Sequence, residues 1–184
     1  MNLPNLITIG RILLVPLAVW LIISEAYGFA FLTFVVAGVS DGVDGYIARR
    51  YNQRTELGAL LDPVADKALL VSVYITLGLN RVIPAWLVIL VVSRDVLIVG
   101  AFILSWLMDH PVKIKPSMVS KVNTAIQIIF VVTLLGSATV DLDFAPMLIF
   151  GMGLVSLLTV VSGALYLREW TRHMASGNKG SGVS

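Results

Sequence analysis

The sequence predicts an all-α, polytopic membrane protein with six transmembrane helices and a short interfacial segment at its N-terminus. Three observations carry that reading. The 184 residues are 58% hydrophobic and 13% charged, with a mean hydropathy of +0.92. An ordinary globular chain carries about 25% charged residues, and a soluble fold of this length has no room to hide so much apolar surface. Six apolar stretches, at residues 9–25, 28–49, 58–80, 84–107, 119–138 and 145–167, each approach the length of about 20 residues that a membrane crossing needs. Short connectors with turn or polar residues separate them, at 25–28, 51–56, 80–84, 109–116 and 141–146.

Taken in order, residues 2–8 are expected to lie along the membrane interface before the first span. Arg11 falls inside that first apolar run, no basic segment precedes it, and no small-residue cleavage site follows. The run therefore reads as a retained span and not as a signal peptide. Spans two and three carry two aspartates each, span four carries Arg94 and Asp95, and span five opens with Lys121 and Asn123. Residues 1–175 form one expected domain, and 176–184 a flexible tail rich in glycine and serine. Trp20, Trp86, Trp106 and Trp170 suit interfacial anchoring. The chain has no cysteine, so disulfides and thiolate chemistry are excluded. Its net charge of +2 is too small to suggest a nucleic-acid partner.

Loop cations give the orientation. Arg49, Arg50 and Arg54 flank the connection between spans two and three, Lys113 and Lys115 lie in that between four and five, and Arg168, Arg172 and Lys179 follow span six. With six spans all of these share one side, which the positive-inside rule makes cytoplasmic, together with both termini. The other side has only Arg81 among Glu25, Asp141 and Asp143.

The segment SDGVDGYIARRYNQRTELGALLDPVADK, residues 40–67, holds the candidate chemistry. Charges inside a span are costly and need partners or a polar cavity. Asp41 and Asp44 are three apart and Asp62 and Asp66 four apart, so each pair shares a helical face. A short hairpin would bring the two pairs together near the cytoplasmic end. Gly42, Gly45, Ala48 and Gly58 keep the same region thin, leaving room for close helices or a ligand. Four clustered carboxylates repel one another or protonate, and a pair of divalent cations resolves this. Oxygen-only donors select Mg²⁺ or Mn²⁺ over zinc, and two such ions form the usual clamp for phosphoryl transfer. Any single aspartate also reads as a helix cap or as a partner of Lys67, Arg49 or Arg94.

These residues resemble a known signature. Asp41-Gly42-Val43-Asp44-Gly45, then Ala48-Arg49, Gly58, Asp62 and Asp66, is similar at all eight defining positions to the CDP-alcohol phosphotransferase family. The resemblance implies a dimeric six-span fold with two metals held by Asp41, Asp44, Asp62 and Asp66. Asp66 would also be the general base on the acceptor hydroxyl, whose oxygen attacks the β-phosphorus of a CDP-linked lipid while CMP leaves. Gly45, Ala48 and Gly58 would lie near the cytidine nucleotide, with Arg49 close by.

The opening Asn2-Leu3-Pro4-Asn5, with Thr8 and Arg11, resembles the branch that makes phosphatidylglycerophosphate or cardiolipin, in which Asn5 and Thr8 would face the nucleotide. Ser93-Arg94-Asp95-Val96, and the run from Lys115 through Ser120-Lys121-Val122-Asn123-Thr124 to Gln127, resemble the eukaryotic-type, CMP-forming cardiolipin synthases. Arg94, Lys121 and Asn123 are thus the candidate acceptor-binding residues. The expected reaction joins CDP-diacylglycerol to phosphatidylglycerol in a bacterial-type inner membrane. Glycerol 3-phosphate is the alternative acceptor, and a divalent-cation transporter is the reading from another class. Arg94–Asp95 also reads as an ion pair that only holds helices together, and Lys121 as a snorkelling residue.

Overall fold

The computed structural model describes the backbone of residues 3–50, 56–107, 118–139 and 144–177, and the side chains of 10–40, 67–100, 118–139 and 144–170. Six α-helices account for nearly all of it: α1 (Leu3–Ile23), α2 (Tyr27–Arg50), α3 (Glu56–Leu79), α4 (Ala85–Leu107), α5 (Met118–Ser137) and α6 (Ala145–Gly177). The shortest has 20 residues and the longest 33, or about 30 to 50 Å at 1.5 Å per residue. Each coincides with one expected span to within a few residues, except at the two ends of the chain. Residues 2–8 are not a separate segment, because α1 runs unbroken from Leu3. Pro4 stands in its first turn, where a missing N–H leaves no helical bond unmade. At the other end α6 continues through Arg172 to Gly177, so the tail expected from residue 176 begins inside the helix. Residues 178–184 lie outside the described residues.

Apolar side chains cover the outside of the bundle as well as its core, and several polar ones lie inside. Leu13, Trp20, Phe29, Leu79, Ile89, Ile149 and Phe150 are all more than half exposed, whereas Arg94, Asp95, Asn123, Gln127, Thr159 and Ser162 are buried. Contiguous apolar surface of this extent belongs against lipid, and polar groups in a span belong inside the bundle. Met118–Ser137 and Ala145–Trp170 are each long and apolar enough to cross a membrane, and Gly10–Ile23, Tyr27–Ser40 and Lys67–Leu79 are shorter apolar stretches. Hydroxyls within helices are satisfied locally: Thr33, Ser40, Thr76, Thr124 and Ser156 each donate to the carbonyl four residues back. That is the cheapest partner available where no water reaches. Trp20 and Trp86 are exposed, as anchoring requires.

Helix contacts among the described residues run in a closed ring: α1 against α2 and α3, α3 against α4, α4 against α6, α6 against α5, and α5 back to α2. Tyr74 of α3 bridges the ring, donating to the Gln127 carbonyl of α5 at 3.3 Å and stacking on Phe130 with centroids 6.5 Å apart. The turns after α1 and α3 are tight. Each ends its helix on a non-glycine residue in the left-handed region, Glu25 (φ 58°) and Arg81 (φ 59°). At both ends two bonds close the cap: Ala26 N–H to Leu21 and Glu25 N–H to Ile22, and Val82 N–H to Leu77 and Arg81 N–H to Gly78. Asn80 also donates to the Ile22 carbonyl at 2.8 Å, tying the end of α3 to the end of α1.

Two crossings depend on glycine. A Cβ on Gly78 would stand 2.6 Å from Val88 Cγ2, and one on Gly151 would stand 2.8 Å from the Phe130 ring. Val88 is stiff at χ1 in a helix, so α3 and α4 must separate to admit even a methyl group. Gly153 has nothing within 4 Å of the same position. Gly78→Ala is expected to lower thermal stability in detergent by about 1–3 kcal/mol less the helix-propensity gain of about 1 kcal/mol. Gly153→Ala shares that gain without the clash and is expected to match or exceed the wild type. Equal melting temperatures for the two variants would contradict the close α3–α4 approach.

Candidate functional site

The four aspartates fall on unbroken helix. Asp41 and Asp44 lie in the last turns of α2, with Gly45, Ala48 and Arg49 beyond them, and Gly58, Asp62 and Asp66 lie in the first three turns of α3. A continuous helix keeps each pair on one face. Asn5 and Thr8 lie in the first turns of α1, which packs on both α2 and α3. The side chains of Asn5, Thr8, Asp41, Asp44, Gly45, Ala48, Arg49, Gly58, Asp62 and Asp66 are outside the described residues, as is the expected convergence of the two aspartate pairs. Among the described residues no other group of carboxylates or histidines could hold a metal. The chain offers the ion four oxygen donors at helical spacings and no cysteine, a set that fits Mg²⁺ or Mn²⁺.

Directly after Asp66 the side chains are described, and they enter a buried polar cluster. Lys67 Nζ of α3 donates to Asp95 Oδ1 of α4 at 2.7 Å, and Arg94 Nη1 donates to the same oxygen at 2.7 Å. The side chains of Arg94 and Asp95 are each 3% exposed, and that of Lys67 is 25% exposed. The guanidinium also reaches Ser162 of α6 at 2.8 Å through Nη2, and Ser120 of α5. Four helices therefore meet at one charged centre. Among the described residues Asp95 is the one carboxylate of this centre, shared by Lys67 and Arg94.

One turn deeper lies a second, neutral cluster. Asn123 Oδ1 accepts from Thr159 at 3.1 Å, and Gln127 Nε2 donates to the same hydroxyl at 3.3 Å. Asn123 and Gln127 are fully buried, and Asn123 Nδ2 and Gln127 Oε1 have no partner among the described residues. From Ser120 to Gln127 the polar face of α5 extends about 10 Å. Beyond it α5 turns to Phe130, Val131, Leu134 and Leu135, all buried. The polar interior thus stops partway through the bundle.

The candidate acceptor residues separate. Arg94 and Asn123 are buried, whereas Lys121 is exposed on the first turn of α5 and makes no ion pair among the described residues. Ser162 and Thr159 take part in the buried clusters without having been singled out in the sequence. Their signal was available: two hydroxyls three residues apart on one face of an otherwise apolar span.

The family model for CDP-alcohol phosphatidyltransferase matches residues 1–169. Human cardiolipin synthase (CMP-forming) is 37% identical over 146 residues, covering 71% of this chain and 48% of the human protein. The rice chloroplastic CDP-diacylglycerol–glycerol-3-phosphate 3-phosphatidyltransferase 1 is 38% identical over 148 residues, covering 71% and 45%. A putative cardiolipin synthase of Mycobacterium tuberculosis is 40% identical over 107 residues, covering 58% and 51%. The chain spans about half the length of these curated relatives. A match that takes in both aspartate-bearing helices and the buried Arg94–Asp95 centre shows that the chain belongs to the CDP-alcohol phosphatidyltransferase family.

Proposed function

We propose that this protein transfers the phosphatidyl group of CDP-diacylglycerol to the hydroxyl of phosphatidylglycerol, giving cardiolipin and CMP. The observation that carries the proposal is the run from Asp41 to Asp66, which matches the family signature at every defining position and falls on two unbroken helices. Asp41, Asp44, Asp62 and Asp66 are the residues that would hold two divalent ions. When bound, such ions supply a clamp for phosphate oxygens and neutralise developing charge. Asp66 takes the proton of the acceptor hydroxyl. The acceptor oxygen forms a new bond to the β-phosphorus as the bond from that phosphorus to the CMP oxygen breaks. Asn5, Thr8, Gly45, Ala48, Arg49 and Gly58 bind the nucleotide end of the donor, and Arg94, Lys121 and Asn123 serve the acceptor. All six helices cross the membrane as one domain of residues 1–175, acting as a homodimer. The site and both termini face the cytoplasm of a bacterial-type inner membrane.

The choice of acceptor rests on charge. Glycerol 3-phosphate brings a dianionic phosphate, whereas phosphatidylglycerol brings one diester charge. Arg94 is already paired with Asp95, and Asn123, one turn deeper, adds no cation. Glycerol 3-phosphate is the second reading, favoured by the rice relative, which is as similar as the human cardiolipin synthase. A transporter would need a polar path across the bilayer. The described interior closes on Leu77, Leu87, Val131, Leu135 and other buried apolar side chains.

Chelation by EDTA is expected to abolish CMP release from CDP-diacylglycerol, and Mg²⁺ or Mn²⁺ to restore it. Full turnover in excess chelator would overturn the two-metal reading. Asp62→Asn and Asp66→Asn are each expected to lower turnover at least ~10²-fold, as for loss of a metal ligand or a positioned base. For the acceptor, each missing charge-assisted hydrogen bond costs about 1.5–3 kcal/mol, or about tenfold to hundredfold in affinity. Purified protein should therefore convert phosphatidylglycerol much faster than glycerol 3-phosphate, releasing CMP and cardiolipin in equal amounts. Efficient phosphatidylglycerophosphate synthesis without cardiolipin would reverse the acceptor assignment and leave the family chemistry intact.

A further inference from the structure

Asp95 does more than its pairing with Arg94 requires. Arg94 has two other acceptors, Ser120 on α5 and Ser162 on α6, which hold its guanidinium without the carboxylate. What Asp95 adds is a grip on Lys67 at 2.7 Å across the α3–α4 contact. That grip is made with one oxygen only. The other, Oδ2, is buried and has no partner among the described residues. A buried carboxylate with half its acceptor capacity unused is a costly way to hold two helices together, since an apolar pair does so with less desolvation. A charge kept under such conditions is there for geometry.

The geometry it fixes belongs to α3. Lys67 follows Asp66 directly, within one turn of helix that also reaches back toward Asp62. Its apolar neighbours along α3, Leu69, Leu70, Val73 and Leu77, are buried and limit how far the helix can move away. Apolar contacts are not directional, however, and they permit rotation about the helix axis. A 2.7 Å ion pair does not. Metal ligands tolerate displacements of only about 0.2 Å, so a small rotation of α3 matters to both carboxylates.

We propose that Asp95 is a positioning residue. Through Lys67 it sets the rotation of α3 about its own axis, and so fixes where Asp62 and Asp66 are presented. The proposal rests on the reading of those two residues as metal ligands.

The test uses the protein of residues 1–184 purified in detergent. Mn²⁺ binding is followed by electron paramagnetic resonance without substrate, beside CMP release and a thermal melt. The variants are Lys67→Met, Asp95→Asn and the double variant. Lys67→Met leaves the Asp95–Arg94 pair in place and so keeps a folded protein even if Asp95→Asn does not. A simple electrostatic effect moves the two single variants in opposite directions: loss of the positive charge at Lys67 tightens Mn²⁺ binding, and loss of the negative charge at Asp95 weakens it. Positioning moves both the same way. Each single variant is expected to raise the Mn²⁺ concentration for half-occupancy by about tenfold, the lower end of the range for groups that orient metal ligands. The double variant should be no worse than the weaker single one, because both changes act on the Lys67–Asp95 ion pair. High Mn²⁺ should recover much of the lost turnover. A Lys67→Met protein that melts like the wild type and binds Mn²⁺ as tightly or more tightly overturns the proposal. If the wild type itself binds no Mn²⁺, the metal reading of the aspartates fails first and this inference falls with it.

Discussion

A single carboxylate oxygen, Asp95 Oδ1, receives both Lys67 and Arg94 inside the bundle, and the arrangement of four helices follows from it. Lipid gives helices no hydrophobic reason to associate, because acyl chains are as apolar as leucine. Packing and polar contacts must do the work instead. Arg94 spreads one side chain over α5 and α6 through Ser120 and Ser162, while Asp95 reaches α3 through Lys67. The glycine at position 78 lets α3 and α4 come close at the far end. Together these contacts specify which helices are neighbours, a matter that apolar surface alone leaves open.

The interior is divided along the membrane normal. One half is polar, from the charged centre at Arg94–Asp95 to Asn123, Gln127 and Thr159. The other is closed by side chains such as Phe34, Leu77, Leu87, Phe130 and Leu135. This division leaves no continuous polar path through the described interior. Asn123 Nδ2 and Gln127 Oε1, a donor and an acceptor one turn apart, are the buried atoms at the boundary with no partner among the described residues.

Much of the architecture was legible because each apolar run ends at a proline, glycine or charge, and helix boundaries in lipid follow such breaks. The aspartate spacings were equally plain, since three- and four-residue intervals place side chains together whatever the tertiary fold. The caps were not. Glycine is the default at a left-handed helix end, and nothing in the local sequence marks Glu25 or Arg81 for that conformation. The Arg94–Asp95 pair was readable, but the other partners of Arg94 were not. Which face of α5 and α6 turns toward α4 is a property of the assembled ring, so Ser120 had only its place in a resemblance and Ser162 had no signal stronger than its spacing from Thr159. Lys121 differs from Arg94 and Asn123 in lying exposed on the first turn of its helix.

The Lys67–Asp95 pair also bears on how the chain enters the membrane. During insertion helices leave the translocation machinery in order, and a charged residue near a span's centre costs about 2.5–3.5 kcal/mol there. The α3 helix bears Lys67 as well as its aspartates, and α4 bears Arg94 and Asp95. Released singly, α3 would carry Lys67 into lipid without Asp95. The two helices are joined by a tight turn at Asn80–Arg81, so α4 arrives beside α3 as soon as it is made. The ion pair that orders the finished bundle thus makes the α3–α4 hairpin a natural unit of biogenesis, with Lys67 and Asp95 delivered to the bilayer already paired.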